Sequence, residues 1–331
     1  MCSIKINLTY NKEGEPMKKI SIVVPMYNEQ EVAKEFYNRT TSVLTKLIEY
    51  DYEIIVVNDG SRDKTLEILL SLVREDEHVK VINFSRNFGH QAAITAGIEN
   101  ATGDAIITID ADLQDPPEII VDMIREYEKG YDIVYAKRKS RKKDTFFKRE
   151  TAKLYYKILN KLSDIKIPEN VGDFRLISKR VQEVFIKLPE KDRYVRGMFA
   201  WMGFNQTMVE FDRASRYAGK TKYPLSKMIK LALSGIVGFS TKPLRIIFKL
   251  GLATTFISFI LMIYAIVMKI LGSVENGWSS IMVAITFIGG IQLLSLGIVA
   301  EYIAKIYGEV KERPVYIIMD KYTNANKEIY K

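Results

Sequence analysis

The segment Ala105-Ile-Ile-Thr-Ile-Asp-Ala-Asp-Leu-Gln-Asp-Pro-Pro117 joins an apolar run to three carboxylates and two prolines. The short run, bounded by polar residues, is typical of a strand that is buried on both faces. Pro117 is well placed to begin a helix, which the pattern extends to Lys129. A buried strand, a polar turn and a helix in succession predict one unit of an α/β sheet, with the carboxylates at the carboxyl end of the strand.

The same alternation extends over most of the first half of the chain. Strands are predicted at 20–25, 52–57, 79–84 and 132–136, and helices at 31–49, 64–75 and 91–100. Strands that alternate with helices predict a mostly parallel sheet covered by helices on both faces. The predicted fold class is therefore a Rossmann-like α/β domain, in which ligands bind at the carboxyl ends of the strands.

The composition restricts the chemistry. The chain has 331 residues, a formal net charge of +9, one cysteine and two histidines. A disulfide framework and a cysteine-rich zinc site are excluded, and two histidines cannot build a histidine-based metal site alone. A metal must therefore use mainly oxygen ligands, which points to Mg²⁺ or Mn²⁺. The basic balance fits nucleic acid, an anionic membrane surface or a phosphorylated substrate.

Two long apolar runs, at 250–268 and 281–300, have about the ~20 residues that a helix needs to cross a bilayer. The alternative is a pair of buried helices in a soluble domain, which such closely spaced runs disfavour. The segment 272–280 between them carries no Lys or Arg, whereas both outer flanks do, so the positive-inside rule places both flanks in the cytoplasm. Amphipathic helices are predicted at 152–162 and 225–236, and we expect the second to lie in the membrane interface.

These features divide the chain into five segments. The predicted division is an extension at 1–17 without the apolar core of a signal peptide, an α/β domain at 18–224, juxtamembrane amphipathic helices at 225–249, two transmembrane helices at 250–304 and a tail at 305–331. The protein is thus expected to be a multi-pass protein of the plasma membrane, with the α/β domain and both termini in the cytoplasm.

The three carboxylates Asp110, Asp112 and Asp115 repel one another unless a cation or hydrogen-bond donors compensate for their charge. A divalent ion that also bridges a diphosphate would do so. The two-residue spacing places Asp110 and Asp112 on the same side of an extended segment, together with the neutral oxygen of Gln114. These three residues are the predicted metal ligands. The alternative is a solvated acidic turn in which Asp115 caps the next helix.

A second polar turn, Asn58-Asp-Gly-Ser61, follows the second predicted strand. Asn-Asp-Gly sequences build turns, so this segment is either a turn alone or a turn from which Asp59 binds a ligand. We expect both, with Gly60 making the turn and the Asp59 carboxylate free to accept hydrogen bonds from a nucleobase or ribose. The segment Pro25-Met-Tyr-Asn-Glu29 ends the first strand and is expected to line the same crevice.

Several motifs, in order along the chain, resemble those of family 2 glycosyltransferases. They are Val23-Val-Pro-Met-Tyr-Asn-Glu29, Asn58-Asp-Gly-Ser61, Arg86-Asn-Phe-Gly-His-Gln-Ala92 and Asp110-Ala-Asp-Leu-Gln-Asp-Pro-Pro117. More narrowly, they are similar to polyprenyl-phosphate glycosyltransferases related to dolichyl-phosphate mannose synthase. The two apolar C-terminal runs bring the chain nearest to the bacterial bactoprenol glucosyltransferases. The resemblance covers about Lys18 to Pro314 and implies an inverting enzyme with a GT-A fold.

The resemblance also implies roles for individual residues. Asp112 and Gln114 would ligate Mg²⁺ or Mn²⁺ together with the diphosphate of a nucleotide-sugar, and Asp110 would contact the ribose or the metal. The metal would neutralise the leaving nucleoside diphosphate. The residues expected to contact the nucleoside are Pro25, Tyr27, Glu29 and Asp59.

Asp173, in Gly172-Asp-Phe-Arg-Leu176, matches a family segment whose aspartate lies beside the sugar and is often regarded as the base. A lipid phosphate monoester has a second pKa of about 6 and is largely dianionic at neutral pH, so it needs little deprotonation. We therefore expect Asp173 to orient sugar hydroxyls or to stabilise positive charge at the anomeric carbon. The alternative is an aspartate that only caps a turn.

The phosphate of an acceptor needs cations, and arginine forks suit its oxygens. The candidates lie in one basic half of the α/β domain: Lys137, Arg138, Arg196, Arg213, Arg216 and Lys222. Arg196 and Arg216 are favoured for the site, and Arg196 is also expected to take part in catalysis. The run at 139–143 is interpreted as a basic surface attracted to anionic lipids.

The resulting hypothesis is transfer of a sugar from a nucleotide-sugar, UDP-glucose in first place, to undecaprenyl phosphate for glycosylation of the cell envelope. UDP-N-acetylglucosamine and GDP-mannose remain open as donors. The rival functions are a polysaccharide-synthesising family 2 transferase, whose downstream Gln-x-x-Arg-Trp motif is absent, and a non-catalytic nucleotide-binding membrane scaffold. A nucleic-acid partner is not expected, and a homo-oligomer is reasonable by family analogy.

Overall fold

The computed structural model describes residues 17–139, 168, 171–212, 240–271, 277–324 and 327–329. Several predicted features lie outside the described residues. These are most of the N-terminal extension, the amphipathic segments 152–162 and 225–236, and the candidate phosphate ligands Arg213, Arg216 and Lys222.

Nine strands and eight helices make up the described chain. The strands are β1 (Lys18–Met26), β2 (Tyr50–Asn58), β3 (Val79–Phe84), β4 (Ala105–Thr108), β5 (Ile133–Arg138), β6 (Val171–Ser178), β7 (Gln206–Phe211), β8 (Ile318–Tyr322) and β9 (Lys327–Ile329). The helices are α1 (Ala33–Leu44), α2 (Thr65–Glu75), α3 (His90–Asn100), α4 (Ile119–Glu128), α5 (Lys179–Lys187), α6 (Val195–Trp201), α7 (Lys242–Ile270) and α8 (Trp278–Val310).

All strands form one sheet in the order β7-β5-β6-β4-β1-β2-β3-β8-β9. The central strands β4, β1, β2 and β3 are parallel, and only β6 and β8 among the described strands run against β1. The mostly parallel α/β sheet predicted from the sequence is therefore confirmed. Its crossover helices leave the carboxyl ends of β1, β2 and β4 open along one edge.

Helices cover both faces of the sheet, and each face has its own apolar core. Phe36, Leu69 and Met123 bring α1, α2 and α4 onto one face. Ala93 and Phe199 bring α3 and α6 onto the other. Burial of this apolar surface stabilises the fold by about 25 cal/mol per Å² and fixes the strands whose ends carry the polar residues.

Two strands within the segment predicted as a tail at 305–331 complete the sheet instead. The strand β8 pairs antiparallel with β3, with Lys321 opposite Ile82, and β9 pairs with β8. Tyr316 stacks on Phe84 with 5.1 Å between ring centroids. The prediction of a separate tail was wrong because an edge strand is recognised by its partner, which here lies far away in the sequence.

The helices α7 and α8 are both long and apolar enough to cross a membrane, judged by length and composition. Large apolar side chains such as Phe256, Leu261, Phe287 and Leu293 are exposed along them. The helices extend beyond the predicted span of 250–304, since α7 begins at Lys242 and α8 ends at Val310.

A buried carboxylate, Glu53, lies at the opposite edge of the sheet from the candidate site. Its side chain is 1% exposed. Ser21 Oγ and Thr102 N donate to Oε1 at 2.6 and 2.7 Å, and Lys80 Nζ donates to Oε2 at 2.5 Å. Burial alone would raise the pKa of Glu53, but the bonds from Lys80 and Ser21 and the charge of Lys19 outweigh it and lower the pKa to about 2.

We expect Glu53 to make folding depend on acid pH. Its folded pKa of about 2 lies below the ordinary 4.5, so its contribution is present above pH 4.5 and lost as the pH falls towards 2. The contribution is about 3 kcal/mol in the free energy of unfolding. Unfolding of Glu53→Gln in detergent should accordingly change less between pH 5 and 2 than unfolding of the parent. The exposed Glu49 supplies the control Glu49→Gln, and equal acid sensitivity of all three proteins would contradict this account.

Candidate active site

The candidate site lies where the carboxyl end of β4 meets the first residues of β6. Because β6 runs antiparallel to β4, Thr108 is paired in register with Arg175. The Thr108 hydroxyl donates a hydrogen bond to the backbone carbonyl of Asp173. Asp110 lies two positions after the end of β4. The topology thus brings Asp173 and Asp110 into one crevice, although they are far apart in the sequence.

The Asp173 carboxylate is buried and surrounded by cationic groups. Arg196 donates to it through Nε and Nη2 at 2.8 and 2.9 Å, and His90 Nε2 lies 3.0 Å from Oδ2. Burial alone would raise the pKa of Asp173, but Arg196 and His90 hold it well below its ordinary range. A carboxylate with so low a pKa is a poor general base.

Arg175 lies beneath this carboxylate and is itself 1% exposed. Its Nη2 donates to Gly172 O at 3.0 Å and to Asp173 Oδ1 at 3.1 Å. The guanidinium also lies over the ring of Phe199, 5.0 Å from the centroid. Its Nε and Nη1 have no hydrogen-bond partner among the described residues. The Asp173 carboxylate is therefore the main counter-charge of a buried cation.

His90 joins Asp173 to Asp110, since its Nε2 also lies 3.5 Å from Asp110 Oδ1. Burial opposes a charge on His90, but the carboxylates of Asp110 and Asp173 outweigh it and raise the pKa of His90. Burial raises the pKa of Asp110 to about 6; the His90 charge opposes this shift, and the nearby carboxylates Asp173, Asp115 and Asp112 reinforce it. Asp110 thus lies in a region with excess negative charge.

The segment after Asp110 is a turn and not an extended strand. The buried Leu113 has φ +56°, in the left-handed region, and Gln114 N donates to Asp112 Oδ1 at 3.1 Å. The prediction that spacing alone places Asp110, Asp112 and Gln114 on one side of an extended segment was therefore wrong. A turn brings the side chains together by folding the backbone back, which the period of a strand cannot describe.

The Asp59 carboxylate binds the loop at 86–90. It accepts hydrogen bonds from Phe88 N at 2.7 Å, Asn87 Nδ2 at 2.9 Å and Gly89 N at 3.0 Å. Burial raises the pKa of Asp59, and the N–H groups of Phe88 and Gly89 offset part of the shift. This differs from the expectation of a carboxylate free to meet a nucleoside, because the turn places Asp59 under the loop that carries His90.

The expected nucleoside-binding segment at 25–29 is tied to the turn after β2. Asn28, with φ +53°, donates from its N–H to Ser61 Oγ at 2.9 Å and accepts from Arg62 N at 2.8 Å. Glu29 N donates to Thr65 Oγ1 at 2.8 Å. Tyr27 and Glu29 follow β1 at the open edge of the sheet, whereas Pro25 is buried within β1, where it is paired with Val57.

Two candidate phosphate ligands are engaged in ion pairs. Arg138 holds Asp115 through Nη2 at 3.1 and 3.0 Å, and Lys137 Nζ lies 2.8 Å from Glu210 Oε1. The Asp115 side chain is 2% exposed, so Arg138 neutralises a buried carboxylate close to the acidic turn. Any phosphate bound by Arg138 must share it with Asp115.

Comparison with known proteins supplies the family. Residues 21–185 match the family model of glycosyl transferase family 2, and residues 242–306 match that of the GtrB C-terminal hairpin. The glycosyltransferase YkcC of Bacillus subtilis is 48% identical over 94% of this chain and 96% of its own length. This chain belongs to glycosyl transferase family 2.

Two other relatives have a similar sequence identity to this family 2 transferase. The glycosyltransferase sll0501 of Synechocystis is 46% identical over 91% of this chain and 95% of its own length. A prophage bactoprenol glucosyl transferase homolog of Escherichia coli is 45% identical over 91% of this chain and 98% of its own length. Family membership and the sheet order confirm the GT-A, Rossmann-like fold that the sequence predicts.

The residues of the transferase fit a divalent cation near Asp110. The ligand atoms of His90, Asp110 and Asp173 all lie within 4.8 Å of one another. Asp173 already holds Arg196, so Asp110 and Asp112 are the better oxygen donors. A cation there would compensate for the carboxylates of Asp112, Asp115 and Asp173, which add to the effect of burial in raising the pKa of Asp110. The donor set is hard oxygen with one imidazole, which suits Mg²⁺ or Mn²⁺.

Reasoning from the sequence missed two residues that contact the carboxylates of the candidate site, His90 and Arg175. Both stand inside motifs that were recognised, 86–92 and 172–176, but neither motif shows which charges face each other. A buried arginine two residues after an aspartate on one strand is the signal that was available, because the period of a strand places both side chains on one face.

Proposed function

We propose that this transferase moves glucose from UDP-glucose onto undecaprenyl phosphate at the cytoplasmic face of the membrane, with inversion at the anomeric carbon. The product is a polyprenyl-phosphate-linked sugar for glycosylation of the cell envelope. The observation that carries the proposal is the 45% identity, over 98% of its length, to a relative named as a bactoprenol glucosyl transferase homolog. Two helices long and apolar enough to cross a membrane lie in the same chain, and they would bring the α/β domain close to a lipid acceptor.

The proposed step balances without a proton transfer. An oxygen of the lipid phosphate forms a bond to the anomeric carbon while the bond from that carbon to the UDP oxygen breaks. The electron pair of the broken bond leaves with UDP. Since the phosphate monoester is largely dianionic at neutral pH, the nucleophile needs no base.

Asp173 supplies a fixed negative charge in this proposal. Arg196, His90 and Arg175 hold the carboxylate in one orientation and keep it ionised. In that state it can orient sugar hydroxyls and stabilise positive charge that develops at the anomeric carbon. Such a preorganised charge acts on the transition state more than on the bound donor.

The acidic turn at 110–115 is proposed to assist the departure of UDP. A Mg²⁺ or Mn²⁺ ion, when bound, would neutralise the diphosphate. Asp110 and Asp112 are the proposed ligands, with Gln114 as a third from the same turn. The side chains at Pro25, Tyr27 and Glu29 are proposed to contact the nucleoside, and Asp59 contributes by holding the loop at 86–90.

The acceptor is proposed to reach the site from the membrane through cationic side chains. Lys242, Arg245 and Lys249 lie at the start of α7, and Lys305 and Lys311 lie near the end of α8. By the positive-inside rule, we expect the α/β domain to lie in the cytoplasm and both helices to span the bilayer. The proposed phosphate ligands are Arg138, Arg196, Arg213, Arg216 and Lys222. A homo-oligomer stays a prediction from family analogy.

Purified full-length protein, undecaprenyl phosphate, Mn²⁺ and a panel of labelled donors provide the test. With UDP-glucose as donor, we expect a lipid-linked sugar to form and UDP to be released. We expect no product when the lipid is left out or when a chelator is present in excess. Faster transfer from UDP-N-acetylglucosamine or GDP-mannose would overturn the donor assignment alone. A polymer as product would favour the polysaccharide-synthesising alternative, and no product from any donor would overturn the proposal.

The matched control for this test is Asp122→Asn. Asp122 is an acidic residue of α4, and its carboxylate binds Arg125 within the same helix, at 2.9 Å. Asp122→Asn therefore changes the net charge by the same amount as Asp112→Asn, but at a position away from the acidic turn. We expect Asp112→Asn to raise the Mn²⁺ concentration needed for half-maximal rate, and Asp122→Asn to leave it unchanged.

A further inference from the structure

The last turns of α8 dock on the α/β domain along one helical face. Tyr302, Lys305 and Glu309 are half-buried on that face, whereas Ile303 and Ile306 are exposed on the other. The spacing of three and four residues places the three polar side chains in one row. Tyr302 donates from its hydroxyl to Ser240 O at 2.7 Å, which also ties α8 to the start of α7.

Glu309 makes the most specific of these contacts. Its carboxylate accepts hydrogen bonds from the backbone N–H of Lys191 at 3.0 Å and from that of Asp192 at 3.1 Å. One turn earlier, Lys305 Nζ lies 3.0 Å from Asp192 Oδ2. Two successive N–H groups held by one carboxylate form a charge-assisted pair that fixes the backbone, not just a side chain.

The segment held by Glu309 is also bound on its other side by hydrogen bonds to the α/β domain. Arg193 donates to the carbonyls of Leu188 and Glu190 at 3.1 and 3.0 Å, and its Nη1 donates to Glu99 Oε1 at 2.9 Å. The Val195 N–H, at the start of α6, donates to Gln91 Oε1 at 3.0 Å. Hydrogen bonds therefore connect the residues around Asp192 to the start of α6, and we expect a displacement of Asp192 to displace α6 as well.

Arg196 is the second residue of α6 and holds Asp173 with two hydrogen bonds. Asp192, which α8 holds, precedes Arg196 by four positions in the sequence. The two parallel N–H···O bonds of an arginine fork tolerate little displacement. The geometry of the Asp173 carboxylate thus depends on where α8 places the segment before α6.

We propose that Glu309 is a positioning residue through which the membrane helix α8 holds Arg196, and hence Asp173, in the geometry needed for sugar transfer. This inference rests on the proposed function for its rate measurements. It links membrane docking to catalysis, because displacement of α8 loosens the active site without touching the donor. The residue contacts neither Asp173 nor the acidic turn in the described structure.

The test is a double-mutant cycle between Glu309→Ala and Arg196→Lys, measured as transfer to undecaprenyl phosphate. Glu309→Ala is expected to lower kcat about tenfold, with the KM for the donor nearly unchanged, because the fork at Asp173 is misplaced. In the Arg196→Lys background, where the fork is already lost, Glu309→Ala should change kcat less than about twofold. Equal effects in the two backgrounds would overturn the inference.

Two further measurements keep the test decisive. Glu301, exposed on the same helix, provides the control Glu301→Ala, which should leave kcat unchanged. Hydrogen exchange of residues 188–201 needs no substrate, and Glu309→Ala should speed it while exchange in β1 stays unchanged. If the unsubstituted protein transfers no sugar, the proposed function is wrong. The hydrogen-exchange result still tests whether Glu309 holds residues 188–201. Unchanged exchange at 188–201 would refute it, as would an active parent with a fully active Glu309→Ala.

Discussion

Asp173→Asn is expected to lower kcat for sugar transfer about 10³-fold, the upper range for loss of one preorganised electrostatic group. The amide has no negative charge for the developing positive centre. It also cannot accept from Arg196, His90 and Arg175 at once, because one of its oxygens is replaced by a donor. The loss should therefore appear in kcat more than in the KM for the donor.

The pH profile distinguishes a fixed charge from a base. If Asp173 acted as a base, the acceptor would lose its proton without Asp173 at high pH. The activity of Asp173→Asn would then recover as the pH rises. The proposed role predicts no recovery between pH 6 and 9, because no proton is transferred from the phosphate in the step. Full recovery at alkaline pH would contradict the fixed-charge role and restore the general-base interpretation.

Asp132→Asn is the matched control for this substitution. Asp132 is also a buried carboxylate in a bidentate pair, with Arg180 Nε at 2.6 Å, but it precedes β5 at the other edge of the sheet. Asp173→Asn is expected to lose stability, on the order of 3 kcal/mol, because the buried Arg175 stays uncompensated. Asp132→Asn is expected to lose less, because its partner Arg180 is exposed. Asp132→Asn should nevertheless retain transfer activity at a temperature at which it is folded.

Gly60→Ala is expected to lower transfer about 10²-fold, the scale for a displacement of about 1 Å in a catalytic group. Gly60 has φ +64°, and a Cβ there would lie 2.5 Å from the backbone C of Arg86 and 2.5 Å from the backbone N of Asn87. Neither atom belongs to a flexible side chain, so the loop at 86–90 must move. That loop carries His90 to Asp173.

The strain of a left-handed residue must be separated from this clash. Gly130, with φ +93°, has no heavy atom within 4 Å of the position of an added Cβ. Gly130→Ala therefore keeps the conformational cost, about 1 kcal/mol, without the steric displacement. Rates and unfolding of both variants give the comparison. Similar loss of activity in both would show that strain, and not movement of the loop, is responsible.

The strands and helices of the first half of the chain were predicted from local apolar periodicity. Because that signal lies within each element, the predicted elements from β1 to β5 agree with those in the structure. The pairing of β8 with β3 has no local signal, because it joins residues more than two hundred positions apart. The sheet core was thus predictable, and its outer strands were not.

The candidate site shows the same limit. Asp110 and Asp112 were identifiable as carboxylates after a predicted strand, and Asp173 by the resemblance of its segment to a family motif. Their partners were not, since the bond from His90 to Asp173 depends on β6 running antiparallel beside β4. The left-handed Leu113 was equally hidden, because a leucine gives no indication of positive φ.

The pairing of β8 with β3 means that the two apolar helices interrupt the catalytic domain instead of following it. During synthesis, the ribosome must complete both helices before the strand that covers the edge of β3 leaves the exit tunnel. Until then, an unpaired strand edge of the α/β domain is open to other chains. If the two helices insert into the bilayer as proposed, their synthesis precedes closure of the sheet. A water-soluble form would need residues 315–329 rejoined to the domain, not removed with the helices.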